Sequence, residues 1–337
     1  MKAVVFYEAN CLVVEERSVP QIGENDVLIK VHACGICGTD VHILHGEHIV
    51  KFPVIPGHEF SGEVVEIGSK VTNICIGDKV AIDPNIVDKT CYFCRRGEIN
   101  LCEKLTAVGV NFDGGFAEFC RVPAEQAYRV PDGISLDEAA MAEPLACCIH
   151  GIDRANIALG DNVVVLGAGS IGLILIQLAR IAGARLIITS EPDERKRHLA
   201  ANFGADVQLD PLEQDVAAEV AELTGVGADV VIESAGRLET AELAVKLARR
   251  GGTVLQFGMV SPDRLAKISP YDVYDKELTI RGSFVNPFTQ ARAIELLASK
   301  QIDVMPLITH RFTLDDSAEA FQTAQGKEAA KILIIPG

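Results

Sequence analysis

Gly167-Ala168-Gly169-Ser170-Ile171-Gly172 follows directly on the apolar run Asn162–Leu166 and opens Ser170–Ala182, a stretch with helical spacing of its apolar residues. A bare G-x-G-x-x-G carries little weight, but strand, glycine turn and helix in succession is the setting that gives it meaning. Gly167 permits the tight turn, Gly169 lets a pyrophosphate approach the backbone, and Gly172 lets helix and strand pack closely. Ser170 and Ile171 supply the first helical N–H groups, and a helix N-terminus favours negative charge. The next apolar run, Arg185–Thr189, leads into Ser190-Glu191, about 20 residues past Gly172. An acidic side chain there accepts hydrogen bonds from an adenosine ribose and repels a 2′-phosphate, so NAD is expected over NADP. Arg195, Lys196 and Arg197 lie nearby, and they leave open a phosphate-holding alternative.

The same alternation continues outward. Arg195–Phe203 reads as a helix, Asp206–Leu209 as a strand, and Asp229–Glu233, Thr253–Phe257 and Leu278–Arg281 as further strands. The Ala- and Leu-rich segment Glu239–Arg249 reads as a helix between them. Strands alternating with helices predict a parallel sheet covered on both faces. The first third differs. Lys2–Tyr7, Val27–Val31, Glu63–Ile67 and Lys79–Ile82 are short β-branched runs punctuated by Gly, Pro, Asn and Asp. After Gly282 come a helix near Thr289–Ser299, then Ile308–Leu314 and a last strand at Lys331–Ile335. The fold class is α/β, with a β-rich domain first and a doubly wound domain second, as 337 residues allow.

Lys+Arg at 31 against Asp+Glu at 47 give a net charge of -16. Such a surface repels phosphate backbones and anionic headgroups, which argues against nucleic acid and membrane as partners. The N-terminal stretch lacks a signal peptide's long apolar core, and no apolar run reaches the roughly 18 residues of a membrane span. A cytoplasmic protein is expected. Ten cysteines in that compartment are unlikely to form a disulfide framework and suit metal chemistry better. Cys11, Cys75, Cys120, Cys147 and Cys148 read as small buried hydrophobes.

Cys91-x2-Cys94-x7-Cys102 lies in a polar loop, and three close thiolates suit tetrahedral zinc, which wants a fourth ligand at a structural site. Asp88, three residues before Cys91, is the expected fourth, with water or an empty loop as the alternative. A second group is Cys34-Gly35-Ile36-Cys37-Gly38-Thr39-Asp40-Val41-His42 followed by Gly57-His58-Glu59. A thioredoxin-type pair at Cys34 and Cys37 lacks its strand–turn–helix setting, so a scattered zinc site with an open position is the better reading.

Cys37–His42, Gly57-His58-Glu59, Gly77-Asp78-Lys79-Val80, the Cys91/Cys94/Cys102 lobe, Gly114–Glu118 and Gly167–Gly172 together resemble the zinc-dependent medium-chain dehydrogenase/reductase superfamily. The resemblance spans essentially the whole chain. Ala142-Glu143-Pro144-Leu145 is similar to the polyol branch, which carries a glutamate where liver-type alcohol dehydrogenases carry a cysteine ligand. The resemblance implies a GroES-like β-barrel catalytic domain over residues 1 to about 145, completed by residues 284–337, and a Rossmann domain over 146–283. The active site would lie in the cleft between them. It implies catalytic zinc on Cys37, His58 and Glu59, with Glu143 as a direct or water-bridged ligand. Thr39, the nicotinamide ribose and His42 would carry the hydroxyl proton to solvent, His42 being suited by its ordinary pKa. The nicotinamide would rest against Phe257-Gly258-Met259 and Ser283-Phe284-Val285.

The activity implied is oxidation of a secondary hydroxyl of a polyol by NAD, in a homodimer or homotetramer. Asp88 replaces a lobe cysteine, and Val285-Asn286 stands where animal sorbitol dehydrogenases carry an Arg-Tyr pair, so the substrate is open among sugar alcohols, with His45 and Glu118 as alternative contacts. Threonine or butanediol is the nearest alternative within the class. A non-catalytic, crystallin-like NAD-binding protein is the alternative outside it, and a zinc-free quinone reductase would have no use for the cysteine lobe.

Overall fold

Val163, Val164, Val165 and Leu166 are all fully buried, which only a strand covered on both faces permits. Their strand, Asn162–Leu166, runs parallel to Leu186–Ser190 on one side and Ala228–Glu233 on the other. These belong to a six-stranded sheet in the order Val207–Leu209, Leu186–Ser190, Asn162–Leu166, Ala228–Glu233, Ala248–Gln256, Thr279–Gly282. Every pairing in it is parallel. Strand order reverses between Asn162–Leu166 and Ala228–Glu233, and ligands of open α/β sheets bind beyond the carboxyl ends at such a switch point. The fingerprint Gly167–Gly172 sits there.

The computed structural model describes residues 1–48, 50–261, 264–326 and 329–337. Its backbone divides into Met1–Ala146 with Pro287–Gly337, and Cys147–Asn286. The second unit is the doubly wound sheet. Most of its boundaries shift by one residue from the sequence reading, and one junction shifts further. The helix expected over Glu239–Arg249 is Leu238–Leu247, and the next strand begins at Ala248 rather than Thr253. Lys276 causes the early stop: its Nζ donates to the carbonyls of Val245, Lys246 and Ala248, taking the C-terminal acceptors of the helix.

In the first unit a mostly antiparallel sheet has the order Ile308–Thr313, Lys331–Ile335, Asp26–Gly35, Glu59–Ile67, Lys79–Ile82, Ala127–Arg129, with Phe119–Pro123 also paired to Asp26–Gly35. The last strand of the chain therefore lies inside the sheet, pairing Leu333 with Gly35 and Ile334 with Cys34. Phe6, Phe116 and Phe321 are buried and meet edge to face, fastening the N-terminal hairpin and the C-terminal segment to one core. Of the cysteines expected to be buried, Cys120 and Cys148 are, Cys11 and Cys147 are half-buried, and Cys75 is exposed. Cys75 sits on a surface turn whose N–H is held by Asp78 Oδ2 at 2.8 Å. No helix among the described residues is long and apolar enough to cross a membrane.

The three fingerprint glycines answer to different demands. Gly167 has φ +99, and a Cβ on Gly172 would stand 2.0 Å from the Gly167 carbonyl oxygen, whereas a Cβ on Gly169 would meet nothing within 4 Å. The fold requires the first and third; the second faces open space. Gly172→Ala is accordingly expected to cost about 1–3 kcal/mol in urea denaturation. Gly169→Ala should cost less than about 1 kcal/mol while weakening nucleotide binding in calorimetry.

Candidate active site

The strand Asp26–Gly35 runs into a short turn at Ile36-Cys37 and then the helix Gly38–Leu44. Cys34 and Cys37 therefore do stand in a strand–turn–helix setting, contrary to the sequence reading. It is the convergence of Cys37 with His58 and Glu59, with Cys34 buried outside that group, that favours a metal site. Asp40 ends the turn. Its Oδ2 accepts the Cys37 N–H at 2.8 Å, and its Oδ1 accepts the Gly57 N–H at 3.3 Å. One fully buried carboxylate thus ties the loop bearing Cys37 to the loop bearing His58. Asp40 is the capping group, and Thr39 Oγ1 lies 3.7 Å from Cys37 Sγ. Gly57 takes φ +93 where a Cβ would stand 2.7 Å from Cys34 Sγ, so the approach of the His58 loop depends on glycine.

Cys37, His58 and Glu59 each offer a ligand atom within 4.8 Å of the others. His58 and Glu59 are buried. His58 Nδ1 is buried without a hydrogen-bond partner, Asp40 Oδ1 being 3.5 Å away. Glu59 Oε2 accepts from Lys331 Nζ at 2.5 Å, and the same ammonium donates to the Ile36 carbonyl at 3.2 Å. A Cβ on Gly35 would stand 2.3 Å from that carboxylate oxygen, so Gly35 makes the room for it.

The site has a negative field. Burial opposes protonation of His58, yet Asp40 and Cys37 raise its pKa well above the usual imidazole value. Burial likewise opposes the Lys331 charge, and Glu59, Cys37 and Glu143 outweigh it, holding the amine above the usual lysine range. Burial disfavours the Glu59 anion, but Lys331 and His58 keep its carboxyl below the usual range. Thiolate, imidazole and carboxylate converging in such a field form a donor set that fits zinc. Glu143 is buried in the first turn of Ala142–Ala155 and close enough to act on Lys331. It is not among the three residues whose ligand atoms converge.

Thr39 and His42 stand one turn apart on Gly38–Leu44. His42 Nδ1 lies 2.5 Å from Glu47 Oε2 at the solvent edge. Away from this cluster, Asp88, Cys91, Cys94 and Cys102 also bring their ligand atoms within 4.8 Å of one another. Asp88 Oδ1 accepts the N–H groups of Thr90 and Cys91, both at 2.9 Å. Those two backbone bonds hold its carboxyl well below the usual carboxylate range. Burial, with Cys102 and Cys91 beside it, pushes the Cys94 thiol up to about 12. Three thiols and a carboxylate crowded together fit a tetrahedral zinc, whose charge would offset theirs.

In the second unit, Glu191 is buried and its two oxygens accept the Ala168 N–H at 2.8 Å and the Asp193 N–H at 3.1 Å. It braces the fingerprint loop directly, which spacing alone does not reveal. Arg197 is engaged by Asp210 at 3.0 Å and by the Glu191 carbonyl at 2.7 Å. Lys196 donates its backbone N–H to the helix cap Asp193. Phe257 and Gly258 donate their N–H groups to the Glu233 carbonyl at 2.9 and 2.8 Å, and Met259 is exposed. Ser283 Oγ is buried without a partner, and Phe284 is exposed. Val285 has φ +49, a costly conformation for a β-branched residue.

Family models match on both units. The alcohol dehydrogenase GroES-like domain covers residues 23–132 and the zinc-binding dehydrogenase domain covers residues 170–299. The chain belongs to the zinc-dependent medium-chain dehydrogenases. Sorbitol dehydrogenase of Gallus gallus is 35% identical over 340 residues, covering 98% of this chain and 95% of its own. D-arabinitol dehydrogenase 1 of Uromyces fabae is 33% identical over 340 residues, covering 100% and 97%. A solved structure described as a zinc-binding dehydrogenase of Sinorhizobium meliloti 1021, bound to NADP, superposes with a TM-score of 0.97. It is 42% identical and covers 99% of each chain. These relatives put the dehydrogenase in the polyol branch, with zinc and NAD(P) as its cofactors.

Sequence reasoning missed Lys331 and Asp40. The lysine opens an otherwise apolar strand, Lys331–Ile335, and is only 4% exposed; a cation at a strand end gives no hint of burial. Elemental analysis of this dehydrogenase is expected to find one zinc for each donor cluster, with Cys37→Ser losing one and Cys94→Ser the other. Lys331→Met leaves Glu59 buried and unpaired, and should cost about 3–5 kcal/mol in urea denaturation.

Proposed function

We propose that the chain oxidises a secondary hydroxyl of a polyol to a ketone, with hydride transfer to NAD, at the site built on Cys37, His58 and Glu59. The observation that carries this is the convergence of those three donors in a chain whose relatives are named sorbitol and D-arabinitol dehydrogenase. Zinc held there, with Glu143 as a further direct or water-bridged ligand, supplies the Lewis acidity that makes a hydroxyl proton acidic near neutral pH. Thr39 Oγ1, beside Cys37 Sγ, takes up that proton and hands it on. His42, one turn away and 32% exposed, releases it to water. Asp40 holds the backbone of the loops that carry Cys37 and His58, and Lys331 holds the Glu59 carboxylate. Asp88, Cys91, Cys94 and Cys102 hold a separate, structural zinc.

NAD is preferred because Glu191 puts a buried carboxylate beside the fingerprint loop and Arg197 is committed to Asp210. The S. meliloti relative with NADP bound makes this preference a point to test. A homodimer or homotetramer is supported by the edge strand Thr279–Gly282, where Ile280, with Tyr271 and Tyr274 nearby, is exposed. A cytoplasmic setting is supported by ten cysteines, all unpaired.

The test is the initial rate of NADH formation with sorbitol, xylitol, both arabinitols, galactitol, butanediol and threonine, each with NAD and NADP. A sugar alcohol with NAD should turn over fastest, and chelation should abolish the rate until zinc is restored. Threonine alone turning over would move the reading to amino-alcohol oxidation. Silence across the panel from zinc-loaded, NAD-binding protein would sink it. Thr39→Ala is expected to lower kcat about 100-fold without loss of zinc.

A further inference from the structure

One buried acid has no part in the mechanism above. Glu233 ends the strand Ala228–Glu233 at the switch point, opposite Leu166 on one side and Gln256 on the other. It is 0% exposed. Its Oε1 accepts the Ala235 N–H at 2.9 Å, the Gly236 N–H at 2.9 Å and the Thr240 hydroxyl at 2.7 Å. Its Oε2 accepts the Gln256 amide at 2.7 Å.

Three of the partners are N–H groups that can only donate, and they reach both oxygens, the arrangement a carboxylate accepts. The Thr240 hydroxyl shares its one proton between Glu233 and the Arg237 carbonyl at 2.9 Å. All four are also neutral. Among the described residues no lysine, arginine or histidine forms an ion pair with Glu233. A fully buried carboxylate held only by neutral dipoles projects its charge much further than one beside a cation.

The direction of that projection is defined. A Cβ on Gly258 would stand 2.6 Å from Glu233 Oε2 and 2.3 Å from the Gly236 nitrogen, so the loop Phe257–Met259 lies directly on the carboxylate. Gln256 Nε2 bridges the same oxygen to the Gly258 carbonyl at 2.9 Å. A group resting on that loop would have the charge beneath it, with glycine rather than a side chain between.

We propose that Glu233 biases this chain toward the oxidised cofactor: its charge stabilises the cationic nicotinamide of NAD+ and gives nothing to the neutral ring of NADH. The inference rests on the reading that places the nicotinamide against Phe257–Met259. Glu233 is then a positioning residue for two loops and also an electrostatic selector between two redox forms that differ by one positive charge at the ring.

The test is calorimetric binding of NAD+, NADH and ADP-ribose to the zinc-loaded chain and to Glu233→Gln. The expected result is a loss of NAD+ affinity about tenfold greater than the loss for NADH or ADP-ribose, the order of one partly buried charge interaction. The double variant Glu233→Gln/Gln256→Glu keeps one carboxylate and one amide in the pair, and should return the NAD+ to NADH ratio toward the parent value. Equal weakening of all three ligands would overturn the proposal and leave Glu233 as a brace for its loops. The placement of the ring has its own readout, protection of the Phe257 and Gly258 amides from hydrogen exchange by NAD+ beyond that given by ADP-ribose. Absence of that protection would overturn the placement and the proposal with it. Protection with equal weakening would overturn the charge effect alone.

Discussion

The buried pair of Lys331 and Glu59 is the constraint on which the first unit is arranged. A carboxylate buried beside a buried imidazole and a half-buried thiol is unstable on its own. Lys331 balances it from the last strand of the chain, and that strand must lie next to Asp26–Gly35 for the ammonium to reach. Gly35 has no side chain because the carboxylate occupies its space. Asp40 then fixes the remaining freedom, holding the Cys37 turn and the His58 loop on its two oxygens. The donor cluster is therefore a product of sheet register as much as of the residues that compose it.

The second unit solves a different problem with similar means. Its nucleotide crevice is a place where a fold leaves backbone N–H groups and empty space, and two buried carboxylates organise it. Glu191 braces the turn at Ala168, and Glu233 knits the loops after two neighbouring strands. Among the described residues, neither forms an ion pair with a cation. Both hold loops by accepting backbone hydrogen bonds, so their negative charge serves geometry.

Much of this was legible in the sequence because it is local. The strand Asn162–Leu166, the helix Ser170–Ala182 and the roles of Gly167 and Gly172 follow from a few adjacent residues whose steric demands are strict. The lobe from Asp88 to Cys102 shows in residue type and spacing, whereas the choice of Cys37, His58 and Glu59 as one donor set rests on the family resemblance, because those residues are scattered along the chain. Lys331 could not be found that way, since its partner lies 272 residues earlier and only the strand order joins them. The role of Glu233 was hidden for a related reason. An acid at the end of an apolar strand reads as the point where burial stops, whereas here four donors from three segments make burial possible. The start at Ala248 escaped because the lysine that ends the preceding helix comes from a later segment.

The position of Lys331 in the chain also orders events during synthesis. Cys37, His58 and Glu59 leave the ribosome first and the lobe ligands soon after, so both sets of thiols are present well before Lys331 is made. Lys331 comes 272 residues after Glu59, so the carboxylate waits for its cation through most of that interval. A nascent chain can gather metal at its cysteines before the charge of Glu59 is balanced, but the sheet cannot close around that carboxylate until Lys331 has been made.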